Sequence, residues 1–461
     1  MGLHEGLVML EQARMLQNIL TQAGYKTLAA GGFVRDHLLG RDPKDIDLAT
    51  EALPEQVRDV LTAKDIRVED TGLKHGTVSA IIDGIPYEIT TLRIDKKCKG
   101  REAEVEFVKS FEEDAKRRDF TINAMFMDLE TEEVVDYVNG QEDLKKEILR
   151  FVRYPEDRIK EDYLRILRLF RFASQLGFQI EPEAAREAIK YLPYMTTYIS
   201  TERIYTEMSK LIVGKGVFFV LNTYKDLVFH VFPELFLADG FKQRNEYHKY
   251  DVYLHTLYGV DHLKKYNDPM LSFAHLFHDV AKPLCHTISW KDNEIVDHFY
   301  DHEYHGSKVA QRICHRLKFS SEDTKKIIFI IANHMRLRTS LSKKAVRKLL
   351  QNCADAGSKD WVWYLYKQRE ADIKGQAKDP DDLKLIKSQI KEGFKEFTKT
   401  KLESPLTGWE IMDVLEIKNG PVIGRIKKHL LNQVLEGTLD PKDREAVWSL
   451  TKQFVVENNL S

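Results

Sequence analysis

Apolar residues recur every three or four positions near the start of the chain, at Leu7, Leu10, Met15, Ile19 and Leu20, and Gly24 then interrupts them. That spacing predicts a helix over roughly the first 25 residues. From 28 to 150 the pattern changes to short β-rich runs, Thr77–Ile82, Pro86–Leu92, Glu104–Val108, Ala124–Leu129 and Glu133–Tyr137, separated by glycines and charged turns. Several alternate with period two, which predicts a mostly antiparallel or mixed sheet with one polar face. Beyond 150, segments such as EDYLRILRLFRFASQLGF and TERIYTEMSKLIV repeat with helical period, and β-type runs become rare. Histidines cluster between 248 and 334, and lysines between 384 and 401. The expected fold class is α+β. A mixed-sheet head with helices occupies 1–150, an all-α neck 151–215, an all-α domain 216–380 and a helical tail 381–461.

Length changes this picture little: 461 residues exceed one ordinary core and agree with several domains. Hydrophobic residues at 43% and charged residues at 31% describe a folded chain rather than a disordered one. No apolar run is long enough to cross a membrane. The N-terminus lacks a basic segment followed by an apolar stretch, and Gly6 breaks the myristoylation pattern. The four cysteines, Cys98, Cys285, Cys314 and Cys353, form no C-x-x-C pair, which fits a reducing cytoplasm. A net charge of −2 gives no global support for nucleic-acid binding, so any RNA contact must use local basic patches.

Candidate chemistry begins at GGFVRDHLLGRDPKDIDLAT, residues 31–50. Gly31 and Gly32 precede a helical stretch at Val34–Leu39, where glycine lets a ligand approach the backbone and free N–H groups can cradle a triphosphate. Asp45 and Asp47 flank Ile46. Two apart on a strand, they share one face. Paired carboxylates repel one another unless divalent cations relieve them, which is what two-metal phosphoryl transfer needs. A bare D-x-D suits a solvated strand edge better; the glycine pair a dozen residues upstream shifts the balance. Glu88 is the candidate third carboxylate, an exposed strand residue being the alternative.

The pattern GG-x-VRD-x-x-LG-x-x-x-x-DIDLAT resembles the signature of class II tRNA nucleotidyltransferases, the CCA-adding enzymes and bacterial poly(A) polymerases of the DNA polymerase β superfamily. Arg117–Ala124 (RRDFTINA), Glu161–Arg165 (EDYLR) and Thr201–Ile204 (TERI) resemble later motifs of that family, in its order. The resemblance implies a tRNA 3′ end as acceptor, CTP and ATP as donors, and Mg2+ at Asp45, Asp47 and Glu88. It implies nucleotide binding by Gly31, Gly32, Arg35, Arg118, Asp119 and Asn123, with Arg118 on the triphosphate and Asp119 on the ribose. Asp119 and Asn123 share a face if their segment is helical; an ion pair with a neighbouring arginine is the plainer reading of Asp119. Asp162 and Arg165, spaced i, i+3, are expected on one side of a helix, with Arg168 three residues on. Cytosine and adenine both offer an amino donor beside a ring acceptor, and an Asp–Arg pair satisfies either. Uracil and guanine would leave the carboxylate facing a carbonyl, at a cost of roughly 1–3 kcal/mol. An intrahelical salt bridge is the plainer alternative. Residues 93–111, starting with glycine and charges, are expected to form a mobile loop. TLRID…GREAEVEF resembles the branch that adds all three nucleotides, and Lys74-His75-Gly76-Thr77 looks like the CCA side rather than the poly(A) side. A-adding, CC-adding and poly(A)-polymerising activities are the alternatives.

A second constellation follows: His255, His278-Asp279, His302, His334 and Asp372. Imidazoles and carboxylates on successive helices can converge on a divalent metal. The run resembles the HD phosphohydrolase superfamily, with His255, His278, Asp279 and Asp372 in its core places and His302 and His334 at auxiliary ones. That resemblance implies hydrolysis of 2′,3′-cyclic or 2′-phosphates by a metal whose identity stays open among Mn, Mg, Ni and Fe. His248, His262, His275, His286, His298, His305 and His315 are assigned to core or surface. Gly420-Pro421 is expected to break the chain and restart a helix carrying Lys427 and Lys428. Arg336, Arg338, Lys343, Lys344 and Arg347 form a basic run that suits RNA backbone or a solvated face equally; the lysines up to Lys401 are read as a solvated face. Signalling nucleotidyltransferases that carry an HD domain are the rival enzyme class, and no protein partner is implied.

Overall fold

A computed structural model describes residues 3–42, 45–73, 76–99, 102–244, 249–291, 294–337, 340–376, 382–399, 404–418, 420–436 and 438–458. Lys74, His75, His248, Arg338 and Lys401 lie outside these residues, and the side chain of Cys98 is likewise outside the description. The chain folds into two compact units, Met1–Pro233 and Glu234–Ser461.

The first unit is built on a seven-stranded sheet. Its strands are β1 (Thr27–Ala30), β2 (Asp47–Thr50), β3 (Arg67–Gly72), β4 (Thr77–Ile82) and β5 (Ile85–Thr91), then, after a separate hairpin of β6 (Arg93–Lys99) and β7 (Glu102–Phe107), β8 (Phe126–Met127) and β9 (Val134–Val135). The order is β3-β4-β5-β2-β1-β8-β9. β2 runs parallel to β5 while the other neighbours are antiparallel, so the sheet is mixed, as the alternation predicts. Of the segment 93–111, the start expected to be a mobile loop is instead β6, paired with β7, which overlaps the expected β-rich run Glu104–Val108. The first strand, RIDKKCK, was obscured because its charged residues leave little period-two apolar signal.

β5 alternates between core and cleft. Tyr87 and Ile89 are buried while Glu88 between them is exposed. Ile46 is likewise buried between the exposed Asp45 and Asp47. Beneath lie Leu28, Ala49, Leu92, Phe111, Ala115 and Phe126. Phe111 belongs to the helix Phe111–Arg117, whose start is capped by the Ser110 hydroxyl accepting from the Glu113 N–H at 3.3 Å, a bond worth about 1 kcal/mol. The following helices, Pro155–Glu161, Leu164–Leu176, Pro182–Tyr191 and Thr201–Leu211, match the helical period read there. Proline opens the first and third, where its missing N–H costs nothing. Gly177, left-handed at φ 77°, closes the second. A buried Arg171–Glu207 pair at 2.5 Å ties the second to the fourth. The neck is not all-α: β11 (Gln179–Ile180) pairs in parallel with β10 (Ile148–Leu149), a two-residue ladder too short to leave a sequence pattern.

Among its described residues, the second unit is helical apart from loops and one antiparallel hairpin of β12 (His286–Lys291) and β13 (Glu294–Phe299), which corrects the all-α expectation for 216–380. Its alternating Ile288, Trp290 and Val296 did carry a strand signal. Several of its helices begin at side-chain caps, among them Asp251 on Val252–Leu263, Asp268 on Pro269–Phe277 and Ser320 on Ser321–Asn333. The chain restarts at Pro421 as a helix to Glu436, as Gly420-Pro421 predicts. That helix packs Ile426 and Leu430 with Ile411 and Val447 in a small core of the tail. Cys285, Cys314 and Cys353 are free thiols. Among the described residues, no helix is long and apolar enough to cross a membrane.

Candidate active sites

A cleft of about 640 Å³ opens in the first unit. Its floor comes from the sheet. Parallel pairing sets Leu48 opposite Ile89, so Asp47 and Glu88, one residue earlier on each strand, lie side by side. Asp45 stands just before β2 and does not line the cleft itself. Asp47 is open to the cleft mouth yet set among protein atoms. Partial desolvation first, then the charges of Glu88 and Asp45, push its carboxyl up to about 6, with Arg118 opposing. Like charges that raise a carboxyl in this way are what a bound cation relieves, so the residues fit the expected magnesium. Among the described residues, the ligand atoms of Asp45, Asp47 and Glu88 do not all meet within 4.8 Å.

The cleft walls are basic. Arg35, Arg93, Arg117, Arg118, Arg165 and Arg168 line it against the carboxylates of Asp47, Glu88, Asp119 and Asp162, an excess of positive charge that suits a polyphosphate. Gly31 sits at φ 71°, and a Cβ there would meet Arg118 Nη1 at 3.0 Å. Glycine is required at that point by both backbone and space. Arg35 donates to the Asn123 side-chain oxygen at 2.6 Å and lies over the Phe172 ring at 5.2 Å.

The RRDFTINA segment is not one helix. The Phe111–Arg117 helix ends at Arg118, which is extended, and a 3-10 turn spans Thr121–Asn123. Asp119 and Asn123 nevertheless meet, Asn123 Nδ2 donating to Asp119 at 3.3 Å. The stronger partner of Asp119 is Arg168, whose Nε and Nη2 both donate to its Oδ2, at 2.8 and 2.6 Å. Burial pushes this carboxyl up, but the Arg168 charge and hydrogen bonds outweigh it and hold it at about 2. The ion pair anticipated with a neighbouring arginine is therefore made across 49 residues.

The selector residues also differ from a simple helical pair. Asp162 is extended, at φ −150°, after the Pro155–Glu161 helix, so it and Arg165 do not share one helix side. Its Oδ1 accepts from the Leu164 N–H at 3.0 Å, and Arg203 of the TERI segment approaches at 3.7 Å. Arg165 donates to Glu161 at 2.6 Å and to the Arg158 carbonyl at 2.9 Å. Both still line the cleft.

Two residues here escaped the sequence reading. Asp114, 1% exposed, pairs with Arg117 at 2.7 Å and Arg118 at 3.0 Å, and so aims two guanidiniums at the cleft. Its spacing, three and four residues before the Arg-Arg pair, was the available signal. Phe172 lines the cleft under Arg35, Arg168 and Arg171.

In the second unit, five segments converge. His255, His278, Asp279 and Asp372 place ligand atoms within 4.8 Å of one another, and so do Asp279, His302 and His334. Asp279 joins the two sets: its Oδ2 lies 3.2 Å from His278 Nε2 and 3.7 Å from His255 Nε2, while Oδ1 lies 3.5 and 3.9 Å from His302 and His334 Nε2. Asp372 Oδ1 lies 3.1 Å from His255 Nε2. His278, His302 and His334 each direct Nδ1 to the carbonyl three residues upstream, at 2.6 to 2.7 Å. With the proton on that nitrogen, each Nε2 is a bare acceptor aimed at the centre, the arrangement of a metal-ligating histidine. Burial opposes it, yet the charge of Asp279 and then hydrogen bonds and charge from Asp372 push His278 up to about 10. Asp279 and Asp372 are held well below the usual carboxylate range, against the desolvation that burial imposes. The carboxylates that attract a proton there attract a divalent cation equally well. His278 Nε2 and both Asp279 oxygens are buried without directed hydrogen bonds, although the Lys282 ammonium reaches Asp279 at 2.7 Å as an ion pair. These orphaned atoms fit metal.

Lys282 was not anticipated; its signal is the third position after His-Asp. His275, read as a core residue, is buried and stacks on His278 at 4.4 Å. The basic run is partly engaged elsewhere, Lys343 with Glu392 at 3.0 Å and Arg347 with Glu396 at 3.2 Å. Lys427 and Lys428 are exposed on their helix.

Comparison with known proteins gives these features a context. A family model described as the poly A polymerase head domain matches residues 27–150. The human CCA tRNA nucleotidyltransferase 1, mitochondrial, is 42% identical over 221 residues, 47% of this chain and 50% of that protein. The CCA-adding enzyme of Lactobacillus helveticus is 47% identical over 197 residues, 42% of this chain and 48% of that one. The chain thus spans about half the length of the curated relatives it matches. The crystal structure of the Bacillus stearothermophilus CCA-adding enzyme in complex with CTP is similar over 98% of this chain and 99% of that one, with a TM-score of 0.69 and 25% identity. The α+β class, with a sheet at the N-terminus and helices beyond it, is that of this structure.

Proposed function

We propose that the chain is a cytoplasmic CCA tRNA nucleotidyltransferase that builds or repairs the 3′-terminal CCA of tRNA from CTP and ATP. The observation that carries this reading is the cleft itself: Asp47, raised to about 6 beside Glu88 and Asp45, faces six arginines. Its relatives' names point to the same reaction. The 3′-hydroxyl of the RNA attacks the α-phosphorus of the nucleotide, the bond to the β-phosphate breaks, and pyrophosphate leaves. Asp45, Asp47 and Glu88 would hold Mg2+, which when bound would make the hydroxyl a better nucleophile and steady the leaving pyrophosphate. Arg118 and Arg117, aimed by Asp114, grip the triphosphate, and the Asp119–Arg168 pair fixes the ribose side of the pocket. Gly31 and Gly32 leave room for the phosphates. Asp162 accepts the amino group of cytosine or adenine, and Arg165 donates to the ring acceptor after exchanging part of its contact with Glu161. The test is to offer tRNA ending at the discriminator base, after one C or after two, with CTP and ATP separately and together, and to sequence the 3′ ends. Completed CCA from all three supports the proposal. Arrest at CC, addition of A alone or a poly(A) tail would each replace it.

A second activity is supported by the buried His–Asp centre. With a divalent metal at His255, His278, Asp279 and Asp372, and a neighbouring position at His302 and His334, the second unit hydrolyses 2′,3′-cyclic or 2′-phosphates. A divalent ion held there would lower the pKa of water enough to give a nucleophile near neutral pH; the protein supplies a dry pocket, fixed imidazoles and the Lys282 cation for the phosphate. Hydrolysis of 2′,3′-cyclic AMP with Mn2+, Ni2+, Mg2+ or Fe2+ tests it, and no hydrolysis with any of them contradicts it.

A further inference from the structure

Beside the nucleotide cleft lies a cluster of four tyrosines that the proposed chemistry does not use. Tyr163 stacks on Tyr198 with ring centres 4.6 Å apart and planes 11° apart, and on Tyr194 at 5.7 Å and 23°. Tyr191 closes the group at 5.7 Å from Tyr194. Tyr191 is buried, but Tyr194 and Tyr198 are 47% and 53% exposed. Rings stacked for stability alone gain most by burial. Here the two outer rings stand about half in water, and contiguous exposed aromatic surface of this kind marks a binding face.

Charge narrows the occupant. Lys160 and Lys190 lie over the Tyr191 ring at 5.6 and 5.0 Å, but Lys160 pairs with Glu156 at 2.7 Å and Lys190 with Glu187 at 2.9 Å. The patch is close to neutral. It offers flat π-faces rather than a grip on phosphate, which is the requirement for stacking unpaired bases. Position narrows it further. Tyr163 directly follows Asp162, which lines the cleft, yet none of the four tyrosines lines the cleft. The surface therefore continues the nucleotide site without belonging to it, as the place of the acceptor strand would.

We propose that Tyr194 and Tyr198, backed by Tyr163, form a stacking platform for the unpaired 3′-terminal bases of the RNA acceptor. This rests on the nucleotidyltransferase reading and adds a primer subsite to it. The experiment uses the full chain and an RNA hairpin with an unpaired 3′ tail carrying 2-aminopurine. Wild type quenches the probe on binding. The Tyr194→Ala/Tyr198→Ala double variant loses the quench and raises KM for RNA by on the order of ten- to a hundred-fold, with KM for CTP unchanged. Tyr194→Phe/Tyr198→Phe keeps both, since rings rather than hydroxyls carry the contact. Unchanged quenching and RNA KM in the alanine variant overturn the inference, and so does an equal rise in both KM values, which would mark a structural role. If wild type adds no nucleotide to RNA, the transferase reading fails, while the fluorescence still decides the platform.

Discussion

In the first unit the acidic side chains stand open to a wide arginine-lined cleft; in the second they are buried and nearly touching histidines. Asp45, Asp47 and Glu88 are exposed and come from a loop end and two strands, whereas His255, His278 and Asp279 are essentially inaccessible, in a centre to which five segments contribute. The difference is the one the two proposed functions would require. A nucleotide brings its own negative charge to the metals, so an incomplete, solvated set of ligands suffices, and the arginines supply most of the attraction. A metal that activates water for a small phosphate has to be held by the protein alone, which requires preset nitrogen donors and a dry shell.

The largest effect should come from the residue shared by both metal sets. Asp279→Asn is expected to empty the second unit of bound divalent ions, read by elemental analysis. It should lower phosphohydrolysis by at least about a thousand-fold, since several kcal/mol of charge stabilisation depend on the metal, and leave nucleotide addition intact. Loss of both activities would mean the units are not functionally separate. Next, Asp162→Ala should cut discrimination against UTP and GTP by about ten- to a hundred-fold, from the 1–3 kcal/mol that an unmatched buried polar group costs; competition between labelled nucleotides measures it.

What the sequence made legible was local. The Gly-Gly pair and Asp-x-Asp depend on neighbours a few residues apart, so their faces could be read from local periods; the helical reading of RRDFTINA failed, because the helix ends at Arg118 and Asp119 meets Asn123 across a 3-10 turn. The His-Asp set was legible as residue types, since ligands announce themselves by chemistry. Long-range pairings were not. Nothing near Asp119 announces Arg168 as its partner, and Arg203 reaches Asp162 from a different helix. Asp162 itself was misplaced because a helix period does not show that the chain straightens for one residue between two helices. The strand Arg93–Lys99 left little sequence signal because four of its seven residues are Arg or Lys and one is Asp.

Two smaller effects sharpen the contrast between a rigid and an open site. A Cβ at Gly259 would fall 1.8 Å from His275 Nε2, and His275 is stacked on His278. Gly259→Ala should therefore destabilise the second unit by up to about 3 kcal/mol and loosen its metal, seen in denaturant melts with and without Mn2+, while the first unit is unaffected. In the first unit, Asp119 is held at about 2, below the ~3.9 of an unfolded chain. Its ionised form therefore contributes about 2 kcal/mol of stability that is fully present above pH ~4 and is lost as pH falls toward 2. Asp119→Asn should flatten that part of the stability–pH curve; an unchanged curve would contradict the Arg168 pairing.

The most direct measurement is 3′-end sequencing of tRNA lacking CCA after incubation with CTP and ATP and, in parallel, the wild type, Asp47→Ala and Asp279→Ala. Full CCA from the wild type and Asp279→Ala, with untouched ends from a folded Asp47→Ala, is the predicted result. Nucleotides added by Asp47→Ala would contradict the assignment of the transferase to that cleft.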